Sequence, residues 1–142
     1  MISLNGWAIM AAVATTITIG FLWYGPLFGN AWMKEMAMPA DFKPEVSLLK
    51  RSLLLMLGGA LITSVAMAYV IALCRTSSVM AAAQLSNVML GMVVACVVWL
   101  GFCVPILLGA VAWESRSWRL FGINAGYHGL TLLVSGVILA VW

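Results

Sequence analysis

FGINAGYHGLTLLVSGVILAVW, residues Phe121 to Trp142, carries no Asp, Glu, Lys or Arg and meets the requirement of about 20 apolar residues for a helix that crosses a bilayer. Four polar side chains interrupt it: Asn124, His128, Thr131 and Ser135, of which His128 is the only histidine of the chain. At 3.6 residues per turn they fall within an arc of about 60 degrees. A polar stripe on a spanning helix is expensive in hydrocarbon, so it faces protein or a cavity and marks a candidate site. Gly122, Gly126, Gly129 and Gly136 form a second line nearly opposite the first, with a Gly-x-x-x-Gly pair that permits close helix approach. A helix with two such stripes is expected to be buried on both sides.

Three further apolar stretches precede it, about 4 to 28, 53 to 74 and 85 to 112. The composition agrees: 65% of the 142 residues are hydrophobic and 8% are charged, against about 25% charged in a soluble domain. The expected fold is all-α, a single membrane domain over residues 1 to 142 built as an up-down bundle of four transmembrane helices. Short connections imply antiparallel neighbours. The first stretch has no basic n-region and ends in Trp23-Tyr24-Gly25-Pro26 rather than a small-residue cleavage site, so it is expected to remain as a span. Most of the seven Trp lie near segment ends, as interfacial belts require. Trp99 does not.

The segment 1 to 2 loop, about 29 to 50, holds Lys34 and Lys43 and ends at Lys50 and Arg51; Arg116 and Arg119 lie in the last connection. The other side carries only Arg75. By the positive-inside rule the basic loops are expected in the cytoplasm of a bacterial inner membrane, with both termini outside. Within the long loop, Pro39 and Pro44 bracket Asp41, Phe42 and Lys43 and break helix on either side. Ala31 to Met38 is expected to form a short interfacial helix, with Trp32, Met33 and Met36 on the bilayer and Lys34 and Glu35 in water. The bilayer is thus the first partner. No interleaved basic and aromatic patch suggests nucleic acid.

A weak internal repeat links Gly20-Phe21, Pro26, Gly29 and Trp32 with Gly101-Phe102, Pro105, Gly109 and Trp113. It implies two helix hairpins of the same orientation, related by an axis along the membrane normal. Asn5-Gly6-Trp7, the block Trp23-Tyr24-Gly25-Pro26-Leu27-Phe28-Gly29 with Trp32, and Asn124-Ala125-Gly126-Tyr127-His128 together resemble an uncharacterised family of small, mostly bacterial four-helix membrane proteins. That family is known only as a domain of unknown function. The resemblance implies the four-helix fold and no chemistry.

With this topology His128 lies about 10 Å inside the last span at 1.5 Å per residue, at a depth shared by the ends of segments 1 and 3. Asn124, His128 and Thr131, with Tyr24 and Trp23, are the candidate ligand-binding residues of an inward-facing cavity for a small solute, an ion or a lipid. Neutral imidazole offers one donor and one acceptor. The competing reading makes the stripe interhelical glue in a structural or accessory subunit, at about 0.6 to 2 kcal/mol per bond. The glycine line is read as the interface of a homo-oligomer, most simply a dimer, or else as packing for neighbours in the same chain.

Cys74, Cys96 and Cys103 form no CxxC, and their expected role is that of buried small apolar residues. A lone His without a second His or acid at its depth predicts no metal site. Glu114, Arg116 and Arg119 cluster in a turn where topology explains the arginines. No enzyme and no cofactor are expected.

Overall fold

A computed structural model describes residues 4 to 39, 42, 45 to 78 and 82 to 142. Asp41, Lys43 and Pro44, which the sequence assigns to the helix-breaking loop, lie outside the described residues. The elements are α1 (Gly6–Leu22), a π-helical turn (Trp23–Leu27), α2 (Gly29–Glu35), α3 (Val46–Thr76), α4 (Asn87–Val98), a second π-helical turn (Trp99–Cys103), α5 (Val104–Trp113) and α6 (Trp118–Val141). Four continuous helices, Gly6–Leu27, Val46–Thr76, Asn87–Trp113 and Trp118–Val141, are long and apolar enough to cross a membrane. No strand occurs among the described residues.

Local chemistry sets three of the four starts. Asn5 accepts from the Trp7 and Ala8 amides at 3.0 and 3.4 Å, Ser86 from Met89 at 3.3 Å, and Ser117 from Leu120 at 3.1 Å, each satisfying amides that a first helical turn leaves without partners. The second span starts at Val46 rather than at Leu53. Lys50 and Arg51 therefore ride on its first turns; both are good helix formers, and charge alone does not stop a helix. The short loop helix is Gly29–Glu35, ending before Ala37 at φ 52° instead of running to Met38.

The last helix is the core. Over half of its most apolar window, 56%, is buried, against 22% for each of the other three spans. Thr16 of α1 meets Ser135 and Trp23 meets Ile123, while Trp99 meets Ala125, so the first and third spans both run antiparallel to α6. Arg75, at the end of α3, donates to the Ala140 carbonyl, which sets α3 parallel to α6. The loops rich in Lys and Arg thus gather at one end, here the basic end, and the two termini at the other, the terminal end.

The two ends are built differently. At the terminal end α4 and α6 touch backbone to backbone: a Cβ on Gly136 would stand 2.6 Å from the Gly91 carbonyl oxygen. Ala12, Ala95 and Ala140 are fully buried there. Toward the basic end both odd-numbered spans widen into π turns, which carry one extra residue per turn and recur at functional sites. In the first, Pro26 lacks an amide and Gly25 leaves helical geometry at φ −100°, ψ −105°. The sequence repeat is thereby re-registered: Trp23 and Gly25 match Trp99 and Gly101. The likeness lies in the two helices flanking α6, not in the even-numbered pair, whose burial differs so widely.

Candidate functional site

The site starts from the two tryptophans that open the π turns. The Trp23 indole donates to the Ile123 carbonyl at 3.0 Å and the Trp99 indole to the Ala125 carbonyl at 2.9 Å. Each ring lies where a glycine of α6 leaves room: a Cβ on Gly126 would meet Trp23 at 3.0 Å, and one on Gly129 would meet Trp99 at 3.1 Å. Trp99, out of place in an interfacial belt, is an interior wedge. Indole combines a large apolar face with one donor that must find a partner when buried, and both conditions are met.

The glycine line packs against its own chain at three of its four positions. At Gly126, Gly129 and Gly136 the space is filled from within the chain, by Trp23, Trp99 and Gly91. Of the four, only Gly122 has open space where a Cβ would stand, and it is exposed.

The polar stripe divides in a way that periodicity does not reveal. Asn124 accepts through Oδ1 from the Tyr24 hydroxyl at 3.0 Å. Ser135 shares a 3.2 Å hydrogen bond with Thr16. Thr131 donates to the Tyr127 carbonyl at 2.9 Å, on its own helix, as hydroxyls in apolar helices commonly do. His128 differs: its ring packs edge-on against Tyr127, centroids 5.2 Å apart, and its nitrogens have no hydrogen-bond partner among the described residues. Tyr127 packs in turn on Tyr24 at 5.0 Å, which itself meets Trp32 at 5.6 Å.

His128 faces two cavities. The first, about 590 Å³, lies toward the basic end and is mostly apolar, with Phe21, Leu53, Met56 and Leu107 among its walls and Tyr24, Asn124 and His128 as its polar part. Trp32 of the loop helix and Met36, just past its end, also line it. That helix is tied to the start of α6 through Glu35, which accepts from Ser117 and lies 3.7 Å from the Arg119 guanidinium. The second cavity, about 360 Å³, lies deeper and is lined by the hydroxyls of Thr16, Thr63, Ser64, Thr131 and Ser135. His128 and Met56 line both. No Asp, Glu, Lys or Arg lines either among the described residues.

Of the expected binding residues, Tyr24, Asn124 and His128 meet in the first cavity and Thr131 lines the second. Trp23 instead packs behind α6. Met56, Thr63 and Ser64 were not singled out by sequence; Thr63-Ser64, a polar pair inside the second apolar run, is the signal that points to them. Glu114 turns away to Arg116, 3.6 Å distant, both exposed. All three cysteines are free, with Cys74 and Cys103 half-buried and Cys96 exposed on the outer surface; the expectation of buried packing fails at Cys96 because its side of α4 faces away from α6. No group of three or more His, Cys, Asp or Glu is placed to hold a metal ion among the described residues.

The fold and site together define a small protein of four helices long and apolar enough to cross a membrane, with the last helix the most buried and two open cavities beside it. The chain belongs to the family described as "Protein of unknown function (DUF1761)", whose model matches residues 7–140. No curated protein and no solved structure gives a significant match.

Proposed function

We propose that this chain binds a small uncharged amphiphile in the cavity at its basic end, with the ligand's polar group against His128, Asn124 and Tyr24. The observation that carries the reading is His128 itself, an imidazole in the polar part of a 590 Å³ cavity whose nitrogens bond to none of the described residues. Cavities of about 300 to 1,000 Å³, mostly apolar with a few convergent polar groups, are the usual shape of small-molecule sites. The lining supports an uncharged ligand, since no ionic side chain among the described residues faces it. A charged guest would be left without a counter-ion in low dielectric.

The basic side chains at the cavity end support an inward-facing mouth, with both termini on the outer side of the membrane. The structural reading keeps a share of the stripe: Asn124, Thr131 and Ser135 are bonded inside the chain and act as glue. Calorimetric titration of the amphipol-held protein with 1-monolauroylglycerol, a neutral single-chain amphiphile, tests the proposal. Saturable binding near one molecule per chain is expected. Heats that only rise linearly, as for partition into a lipid belt, would overturn it.

A further inference from the structure

The second span is anchored by one half only. From Ala60 onward a buried residue recurs at every third or fourth position, Ala60, Ser64, Met67 and Ile71, the stripe of a helix packed against its neighbours. From Val46 to Gly59 none is buried, and Leu53 alone is half-buried. This free half is about 20 Å long at 1.5 Å per residue. Leu49, Ser52, Leu53 and Met56 on it nevertheless line the first cavity. Another wall of that cavity is α5, which contributes Leu107 and has no buried residue of its own. It packs on α6 and on the π turn before it, whereas α3 packs on α1, α4 and α6; among the described residues α3 and α5 do not pack along each other. The first cavity is therefore bounded by two helices with no seal between them. The side chains outside the seam, Leu54 and Leu55 of α3 and Ile106 of α5, are apolar and exposed. In a bilayer such faces meet acyl chains as apolar as themselves.

We propose that the bound amphiphile comes from the bilayer and stays partly in it: its polar group rests against His128, Asn124 and Tyr24, and its chain leaves the first cavity sideways between the first half of α3 and α5. The inference rests on the binding proposed above and adds the ligand's source, the leaflet at the basic end, and the path of its chain. The ligand is thus a neutral lipid rather than a solute taken from water. A second way out passes α2, but there Glu35 is tied to Ser117 and Arg119 at the start of α6. A chain left in the leaflet keeps conformational freedom that full enclosure would remove, and it sets no upper limit on chain length.

The test uses the natural full chain in phosphatidylcholine nanodiscs and two photoreactive monoacylglycerols, one with a diazirine beside the ester and one with it at mid-chain. Labelled residues are mapped by mass spectrometry with and without 1-monolauroylglycerol as competitor. The ester-side probe is expected to label residues around Tyr24, Asn124 and His128, and the mid-chain probe α3 between Leu49 and Leu57 and α5 between Val104 and Leu108. At about ten times its Kd the competitor is expected to lower both signals about tenfold, by mass action. Replacing it by 1-monooleoylglycerol should change its potency by less than about threefold, because an open path does not discriminate against added methylenes as an enclosed pocket does. Competed mid-chain labelling at Trp32 and Met36, or at Thr16 and Ser135 of the second cavity, would overturn the sideways path and leave the binding reading standing. So would mid-chain labelling that the competitor leaves unchanged while the ester-side signal falls. A loss of potency beyond about tenfold with the longer chain would mean that the chain is enclosed, with the same consequence. If the competitor lowers neither signal, the inference falls together with the reading it rests on.

Discussion

The terminal end and the basic end of the bundle solve the same packing problem in opposite ways. At the terminal end glycine and alanine remove side chains until the α4 and α6 backbones touch, Gly91 against Gly136. At the basic end tryptophan rings are set against Gly126 and Gly129, holding α6 through two indole hydrogen bonds while the neighbouring helices stand apart. Close approach favours dispersion contacts, the main attraction between helices in lipid. A wedge holds helices in place at a distance, while the cavities lie along the polar face of α6 and are lined by neither tryptophan. In the proposed reading the close-packed end supplies stability and the end with the larger cavity takes the ligand.

The largest effect is expected from forcing a side chain into the close-packed end. Gly136→Leu would place its Cβ 2.6 Å from a backbone oxygen, which only helix separation relieves; a loss of about 3 kcal/mol or more in reversible SDS unfolding is expected. If that variant fails to fold, Gly136→Ala gives the same sign with a smaller loss. A variant as stable as the natural chain would break the comparison at its firmer side.

Next comes the wedge. Trp99→Phe keeps much of the ring and loses the bond to the Ala125 carbonyl, with an expected cost of about 1 to 2 kcal/mol; Trp99→Ala should cost about 3 to 5 kcal/mol by leaving a void. Equal losses for the two would mean that the indole bond, not the ring, does the holding. Tyr24→Phe removes the hydroxyl that anchors Asn124. It is expected to lower stability by only about 0.6 kcal/mol, yet to weaken monolauroylglycerol binding because the freed amide no longer keeps its position.

Much of the architecture was legible in Phe121 to Trp142 and its three companions, because the bilayer imposes a length and an apolarity that any spanning helix must show. The double burial of the last helix was also legible, from two stripes on opposite faces. What was hidden is which partner each stripe meets. Gly136 facing Gly91 and Gly129 facing Trp99 depend on helices distant in sequence, and a glycine looks the same whether it admits a ring of its own chain or a helix of another. The stripe likewise could not reveal that three members are bonded internally and one is not. Asn124 and Ser135 owe their partners to Tyr24 and Thr16 on the first span, whereas Thr131 turns to its own backbone. The repeat of Trp and Gly at Trp23, Gly25 and Trp99, Gly101 was present in the sequence, but only the shared π turns select that register over one based on Gly-Phe.

The smallest expected change in stability belongs to the residue on which the functional reading depends. His128→Ala removes a side chain that bonds to no described residue, so its unfolding free energy should stay within about 1 kcal/mol of the natural chain, while its affinity for 1-monolauroylglycerol falls at least about tenfold. Measured together on one preparation, unchanged stability with lost binding is the predicted result. Lowered stability with unchanged binding would contradict it and return His128 to the role of glue.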